Sequence, residues 1–121
     1  MKKAALLLML LLAVTSMAYA KIPSYVKAGT YEGLAIGRND YIIVLVTIDK
    51  GKMTSIKVDS HYETANFFQL VYPNLTDRMV KEQKASVDVV AGASMSSRGL
   101  IDAVKDALTT AGITADDLKK L

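Results

Sequence analysis

From Gly29 to Asp59 the apolar and polar positions follow the pattern of extended chain, in β-branched or alternating runs separated by turn residues. Beyond residue 64 they follow the three-to-four-residue repeat of helices. Gly29 to Ile36 reads as a first strand, punctuated by Gly29, Gly33 and Gly37, with Arg38-Asn39-Asp40 as a turn. Tyr41 to Ile48 (YIIVLVTI) is β-branched and nearly all apolar, which predicts a central strand buried on both faces. Asp49-Lys50-Gly51-Lys52 predicts a hairpin turn in which Gly51 supplies a positive φ. Met53 to Asp59 alternates apolar and polar, the pattern of a third antiparallel strand with one wet face.

The helical half is less regular. Thr64 is placed to cap a short helix over Ala65 to Val71, which must end near Pro73 because Tyr72 precedes proline. Asn74 or Thr76 starts another helix to about Lys84, with Leu75, Met79 and Val80 inward. Val87 to Val90 is a short apolar run and predicts a strand. Ser96 or Ser97 then caps an amphipathic helix with Leu100, Ile101, Val104, Ala107 and Leu108 on one face. Arg98, Asp102, Lys105 and Asp106 lie on the other. Gly112 fits the residue after its end, and Thr114 with Asp117 opens a last short turn of helix. No repeat or linker interrupts this. The prediction is one small α+β domain, an antiparallel sheet with helices packed on one side.

The first residues change the picture. Lys2 and Lys3 precede an unbroken apolar run from Ala4 to Val14, and Ala18 and Ala20 give a small-x-small cleavage pattern. The run is shorter than the roughly 20 residues of a bilayer crossing. Residues 1–20 therefore read as a signal peptide and 21–121 as the exported domain, periplasmic or extracytoplasmic. The alternative is an uncleaved anchor ending near Tyr19, which leaves the domain outside but membrane-associated.

The chain has 15 Lys+Arg against 12 Asp+Glu. Without Lys2 and Lys3 the cations fall to 13 and the net charge to +1. No basic patch for nucleic acid remains. The absence of cysteine excludes disulfides, thiolate-held iron–sulfur clusters and a C-x-x-C-H haem site. His61 is the single histidine, so no multi-His metal site can be built. Redox chemistry in this chain needs an organic cofactor held without sulfur.

The stretch richest in chemistry is Asp88-Val89-Val90-Ala91-Gly92-Ala93-Ser94-Met95-Ser96-Ser97. It reads as a strand end, a turn of very small residues and a helix start. Gly92 and Ala93 permit close approach of a ligand to the backbone. The free amides and positive dipole end of the following helix favour an anion, phosphate above all. Ser94, Ser96 and Ser97 add hydroxyls. On the residues alone, two readings stand: a phosphate site, or serines that cap a helix after a tight turn.

The pattern Asp88-x-x-Ala91-Gly92-Ala93-Ser94-x-Ser96-Ser97, preceded by Gln83 and Val87, resembles the FMN-binding domain family. That family includes the flavin-bearing periplasmic subunits of sodium-pumping and related membrane redox complexes. Further matches are Gly29-x-Tyr31-x-Gly33-x-x-x-Gly37, Val46-x-Ile48-x-x-Gly51-Lys52-x-x-Ser55-Ile56 and His61-x-Glu63-Thr64, in the family's order from Gly29 to Leu108. The resemblance implies FMN as cofactor. It also implies a flavin transferase that uses FAD to esterify the FMN phosphate to the hydroxyl after Gly-Ala, here Ser94. Asp88 would open the recognition motif. Two departures stand out: the family more often has Thr at Ser94, and Ser or Thr at Ala91. Ser94 keeps the hydroxyl that the ester needs.

The resemblance further places His61, Glu63 and Thr64 beside the flavin or its phosphate, against the plain reading of a strand end and a helix cap. The implied partners are the flavin transferase and periplasmic or membrane redox proteins. No G-x-S-x-G elbow or other catalytic constellation accompanies the site, so an electron carrier is expected rather than a self-sufficient enzyme.

Overall fold

The computed structural model describes residues 22–37, 41–61 and 65–121. Three strands form an antiparallel sheet in the order β1-β2-β3: β1 Gly29–Ile36, β2 Tyr41–Asp49 and β3 Lys52–His61. Helices α1 Ala65–Glu82, α2 Ser94–Thr110 and α3 Ala115–Leu118 follow. The α+β class and the meander agree with the sequence pattern. The β2–β3 turn has Lys50 at φ 51° and Gly51 at φ 75°, so both central residues take positive φ. That is the twist-matched hairpin geometry. Among the described residues no helix is long and apolar enough to cross a membrane.

β2 departs from the expectation of two buried faces. Ile42, Val44, Val46 and Ile48 are buried, while Ile43, Leu45 and Thr47 between them are half-buried. Among the described residues the helices lie on one side of the sheet, and none of these residues forms a layer over its second face.

The helices also correct two boundaries. α1 is continuous, with Pro73 inside it, where two shorter helices were expected. An interior proline costs about 3 kcal/mol. Val71, Leu75 and Met79, spaced by four, are almost completely buried, and each such side chain contributes roughly 1.5–3 kcal/mol. Burial on one straight ridge outweighs the proline. The Thr76 hydroxyl donates to the Tyr72 carbonyl at 3.0 Å in the same turn. The expected cap at Thr64 lies outside the described residues.

The expected strand at Val87 to Val90 is absent; residues 86–90 have no regular structure. The Ala85 and Ser86 amides go to the Leu121 carbonyl and the Asp88 carbonyl to Arg78, and at Met53 the edge of β3 is taken by a side chain. Gln83, turned back at φ 55°, accepts from the Met53 amide and donates to the Met53 carbonyl, both at 2.8 Å. Its side-chain amide does the work of a fourth strand at that point. Met53 and Gln83 are both buried, so removing the amide orphans two backbone groups at about 1–3 kcal/mol each. Gln83→Ala is expected to cost about 2 kcal/mol, read as a shift of the urea midpoint at unchanged slope; an unchanged midpoint would refute the strand-edge role.

α2 sits unusually close to β1. A Cβ on Gly33 would lie 2.0 Å from the Ala103 carbonyl oxygen and 2.5 Å from the Ala107 amide nitrogen. One on Gly99 would lie 2.6 Å from the Gly37 Cα. Gly99, Ala103 and Ala107, spaced by four, thus form a seam of small residues against Gly33 and Gly37, spaced likewise by four. This seam fixes where the first turn of α2 falls relative to the sheet. At the other end, the Gly112 amide donates to Thr109 at 3.0 Å and the Ile113 amide to Leu108 at 3.2 Å, with Gly112 at φ 97°. That closes the helix as its glycine predicted.

Thr114 caps α3, accepting from the Asp117 amide at 3.3 Å. Tyr25 ties the lead of the domain to this helix, donating to Asp117 Oδ2 at 2.7 Å and accepting from the Thr114 amide at 3.1 Å. The Tyr25 hydroxyl holds the Asp117 carboxyl below its ordinary value. That contact is therefore in place above the ordinary carboxylate range and is lost only as pH falls through the lowered value.

Candidate functional site

The segment from Asp88 to Ala93 has no ladder to hold it, so individual groups do. Arg78 on α1 donates from Nη2 to the Asp88 carbonyl at 2.7 Å and from Nε to Asn74 Oδ1 at 3.0 Å. The Val90 amide donates to the Ser97 hydroxyl at 3.1 Å. The Ala93 amide donates to the Val90 carbonyl at 3.0 Å and the Ser97 amide to the Ala93 carbonyl at 2.9 Å. These bonds close a tight turn in which Gly92 takes φ 80°. A Cβ at Gly92 would meet nothing within 4 Å, so the backbone conformation alone calls for glycine and the outside of the turn is open.

α2 begins at Ser94, earlier than expected. Ala93 is the cap and makes no side-chain cap bond. Neither Ser96 nor Ser97 caps the helix, because the Ala93 carbonyl already receives the Ser97 amide and both serines lie inside the first turns. Ser97, fully buried, clamps Val90 instead. By helix geometry the amides of Ser94, Met95 and Ser96 have no intrahelical acceptor, and no acidic residue occupies the first turn.

Ser96 carries the clearest signature. Its residue is 1% exposed and its hydroxyl oxygen has no hydrogen-bond partner. A buried polar atom left alone costs about 1–3 kcal/mol and is rare. An anion at the helix mouth would supply an acceptor both for this first-turn hydroxyl and for the free amides. Ser94 itself is exposed, as are Asp88, Ala91, Gly92 and Met95. An exposed serine, amides without intrahelical acceptors, an orphan hydroxyl and no opposing carboxylate in the first turn together fit the phosphate end of a flavin nucleotide.

The structure brings Gly92, Ala93, Ser94, Ser96 and Ser97 into one turn, with Asp88 at the tethered start of the same segment. His61 ends β3 as the register partner of Ile42, and the Ile42 side chain lies against Gly99. The end of β3 and the first turns of α2 therefore share one end of the sheet. The His61 side chain, Glu63 and Thr64 lie outside the described residues. Sequence reasoning did not single out Arg78 and took Asn74 only as a candidate helix start. Their i,i+4 spacing marks them as neighbours on α1, but no local pattern shows that they reach Asp88.

Two relatives share much of this chain. It is 28% identical over 98 residues to a protein named NADH:acrylate oxidoreductase from Vibrio harveyi, a match over 81% of this chain and 10% of that protein. It is 30% identical over 86 residues to an uncharacterized protein of Treponema pallidum (strain Nichols), over 71% of this chain and 24% of the relative. The chain thus spans about a tenth and about a quarter of these relatives' lengths. The FMN-binding domain model matches residues 37–109, from Gly37, the residue after β1 that lies against Gly99, to the last turns of α2. With the match covering more than half of the chain and enclosing the whole turn at the mouth of α2, the chain belongs to the FMN-binding domain family, and FMN is its cofactor.

Proposed function

We propose that this chain is an exported electron-transfer domain whose FMN is held through a phosphoester to Ser94. The observation that carries the reading is the exposed Ser94 as the first residue of α2, two positions from the orphan Ser96 hydroxyl. In the attachment step the Ser94 oxygen forms a bond to the FMN phosphorus of FAD. The pyrophosphate bond breaks, AMP leaves, and the hydroxyl proton departs with the leaving phosphate or to solvent. No electrons move. Bound FMN then supplies one- or two-electron chemistry, while the protein orients it and tunes its surroundings.

The name of the Vibrio harveyi relative, an oxidoreductase, supports a redox role. The flavin transferase reaches a segment that is exposed from Asp88 to Met95 apart from Val90 and Ala93. The redox partner docks at the same pole, where Val89 and Met95 stand exposed on either side of the turn at 38% and 59%. The leader pattern of residues 1–20 supports export, where an ester-linked flavin is not diluted away.

The test is to co-express the full chain with a flavin transferase and weigh the purified protein. The expected mass is raised by one FMN less one water, and the yellow flavin stays with the denatured chain. Flavin that co-purifies but leaves on denaturation would replace the ester with noncovalent FMN at the same turn. A colourless protein would refute FMN carriage.

A further inference from the structure

We propose that Arg78, braced by Asn74, is a positioning residue for flavin loading at Ser94; this rests on the reading of Ser94 as the attachment point. The segment that presents Ser94 is exposed and has no secondary structure before the helix. Its internal bonds, Ala93 to Val90 and Val90 to Ser97, shape the turn but only span three to seven residues. Val87 and Val90 pack against the core and Ala93 is buried in it, which holds the run down but, being non-directional, does not set the course of its backbone. Just upstream, the amides of Ala85 and Ser86 are held by the Leu121 carbonyl. Between Ser86 and the turn, the Arg78 bond to the Asp88 carbonyl ties this run to α1.

The guanidinium suits that task. It is planar, with donors in a rigid fork. Nε is committed to Asn74 Oδ1 one turn earlier on α1, which sets the plane of the group. Nη2 then meets the Asp88 carbonyl at 2.7 Å, a short charge-assisted bond. Lysine has a point charge and no fork, so it cannot hold both acceptors in one geometry. Both bonds lie at the exposed surface rather than in the core. Losing them should free the presented segment without unpacking the domain. Arg78 therefore acts on loading through the backbone of Asp88, holding the Ser94 hydroxyl where a modifying enzyme can align it with the phosphorus of FAD.

The experiment uses the full chain, purified without flavin and incubated with a flavin transferase and FAD well below the melting temperature. The initial rate of protein-bound flavin is read alongside a thermal melt. Arg78→Ala is expected to lower the rate roughly tenfold to a hundredfold, the equivalent of one charge-assisted hydrogen bond, with a melting temperature close to wild type. Arg78→Lys, which keeps the charge and one donor, should recover part of the rate. Asn74→Ala, which removes only the brace, should slow loading severalfold, and it carries the test if Arg78→Ala does not fold.

Loading of Arg78→Ala at the wild-type rate overturns the proposal. So does full activity in Arg78→Lys together with complete loss in Arg78→Gln, since charge rather than geometry would then be responsible. A rate loss that simply tracks the melting temperature across the set overturns it as well. Wild-type protein that takes no flavin from a competent transferase is a separate outcome: it removes the Ser94 reading and this inference with it.

Discussion

Gly33→Ala should destabilise the domain by about 3 kcal/mol or more, beyond the 1–3 kcal/mol of ordinary overpacking. The added methyl would sit 2.0 Å from the Ala103 carbonyl oxygen, 2.5 Å from the Ala107 amide nitrogen and 2.8 Å from the Ala107 Cβ. The first two are backbone atoms of α2 and cannot rotate away. The only relief is to lift the helix off β1, which opens a gap along a seam of buried alanines. A domain of this size has roughly 5–15 kcal/mol in total. At about 4–8 °C per kcal/mol, the melting temperature should fall by some 12–24 °C.

Gly99→Ala tests the same seam one step along. Helix propensity favours alanine by up to about 1 kcal/mol, but the new methyl meets the Gly37 Cα at 2.6 Å, so the net effect is still expected to be a loss. Gly29→Ala is the control, because its Cβ would make only ordinary contact, 3.5 Å or more, with the Tyr31 ring. A Gly33→Ala melt within 2 °C of wild type would show that α2 does not lie against β1 as described.

Ser94→Ala is expected to abolish covalent flavin while leaving the fold intact. Ser94 is exposed and provides no cap bond, so stability should stay within about 0.5 kcal/mol of wild type, as for most surface changes. Intact mass after co-expression with the transferase should show only the unmodified chain. Ser94→Thr keeps a hydroxyl at the same atom and should still gain the mass of FMN less water.

Ser96→Ala separates the roles within the turn. Its hydroxyl is buried and unpartnered, so deleting it removes an unmet polar group and should stabilise the flavin-free protein by about 1 kcal/mol. The ester at Ser94 should still form. Full flavin mass on Ser94→Ala would move the attachment elsewhere and defeat the assignment.

Much of this domain is local and was therefore readable along the chain. The β1–β2–β3 meander follows from alternation and from the Lys50-Gly51 turn, whose positive φ values only a few residues favour. The buried face of α2, its glycine stop at Gly112 and the Thr114 cap follow from spacing and from short-range hydrogen bonds. The Gly-Ala-Ser turn is likewise a run of neighbours, so a tight turn and a helix start are legible in it, while its residues alone leave a phosphate site and a capped helix both open.

Tertiary structure alone decided the rest, because each case depends on what a residue meets across the fold. Pro73 stays within one helix because Val71, Leu75 and Met79 share a buried ridge. Residues 86–90 form no strand: the Ser86 amide goes to Leu121 and the Asp88 carbonyl to Arg78, while Gln83 fills the edge of β3 at Met53. Among the described residues β2 is covered on one side because the helices pack there, and its composition could not say how many layers would form. Ser97 reaches back to Val90 and Arg78 reaches across to Asp88, pairings that no periodicity encodes. Periodicity reveals that a side chain has a face to bury or a bond to make; only the packed chain supplies the partner.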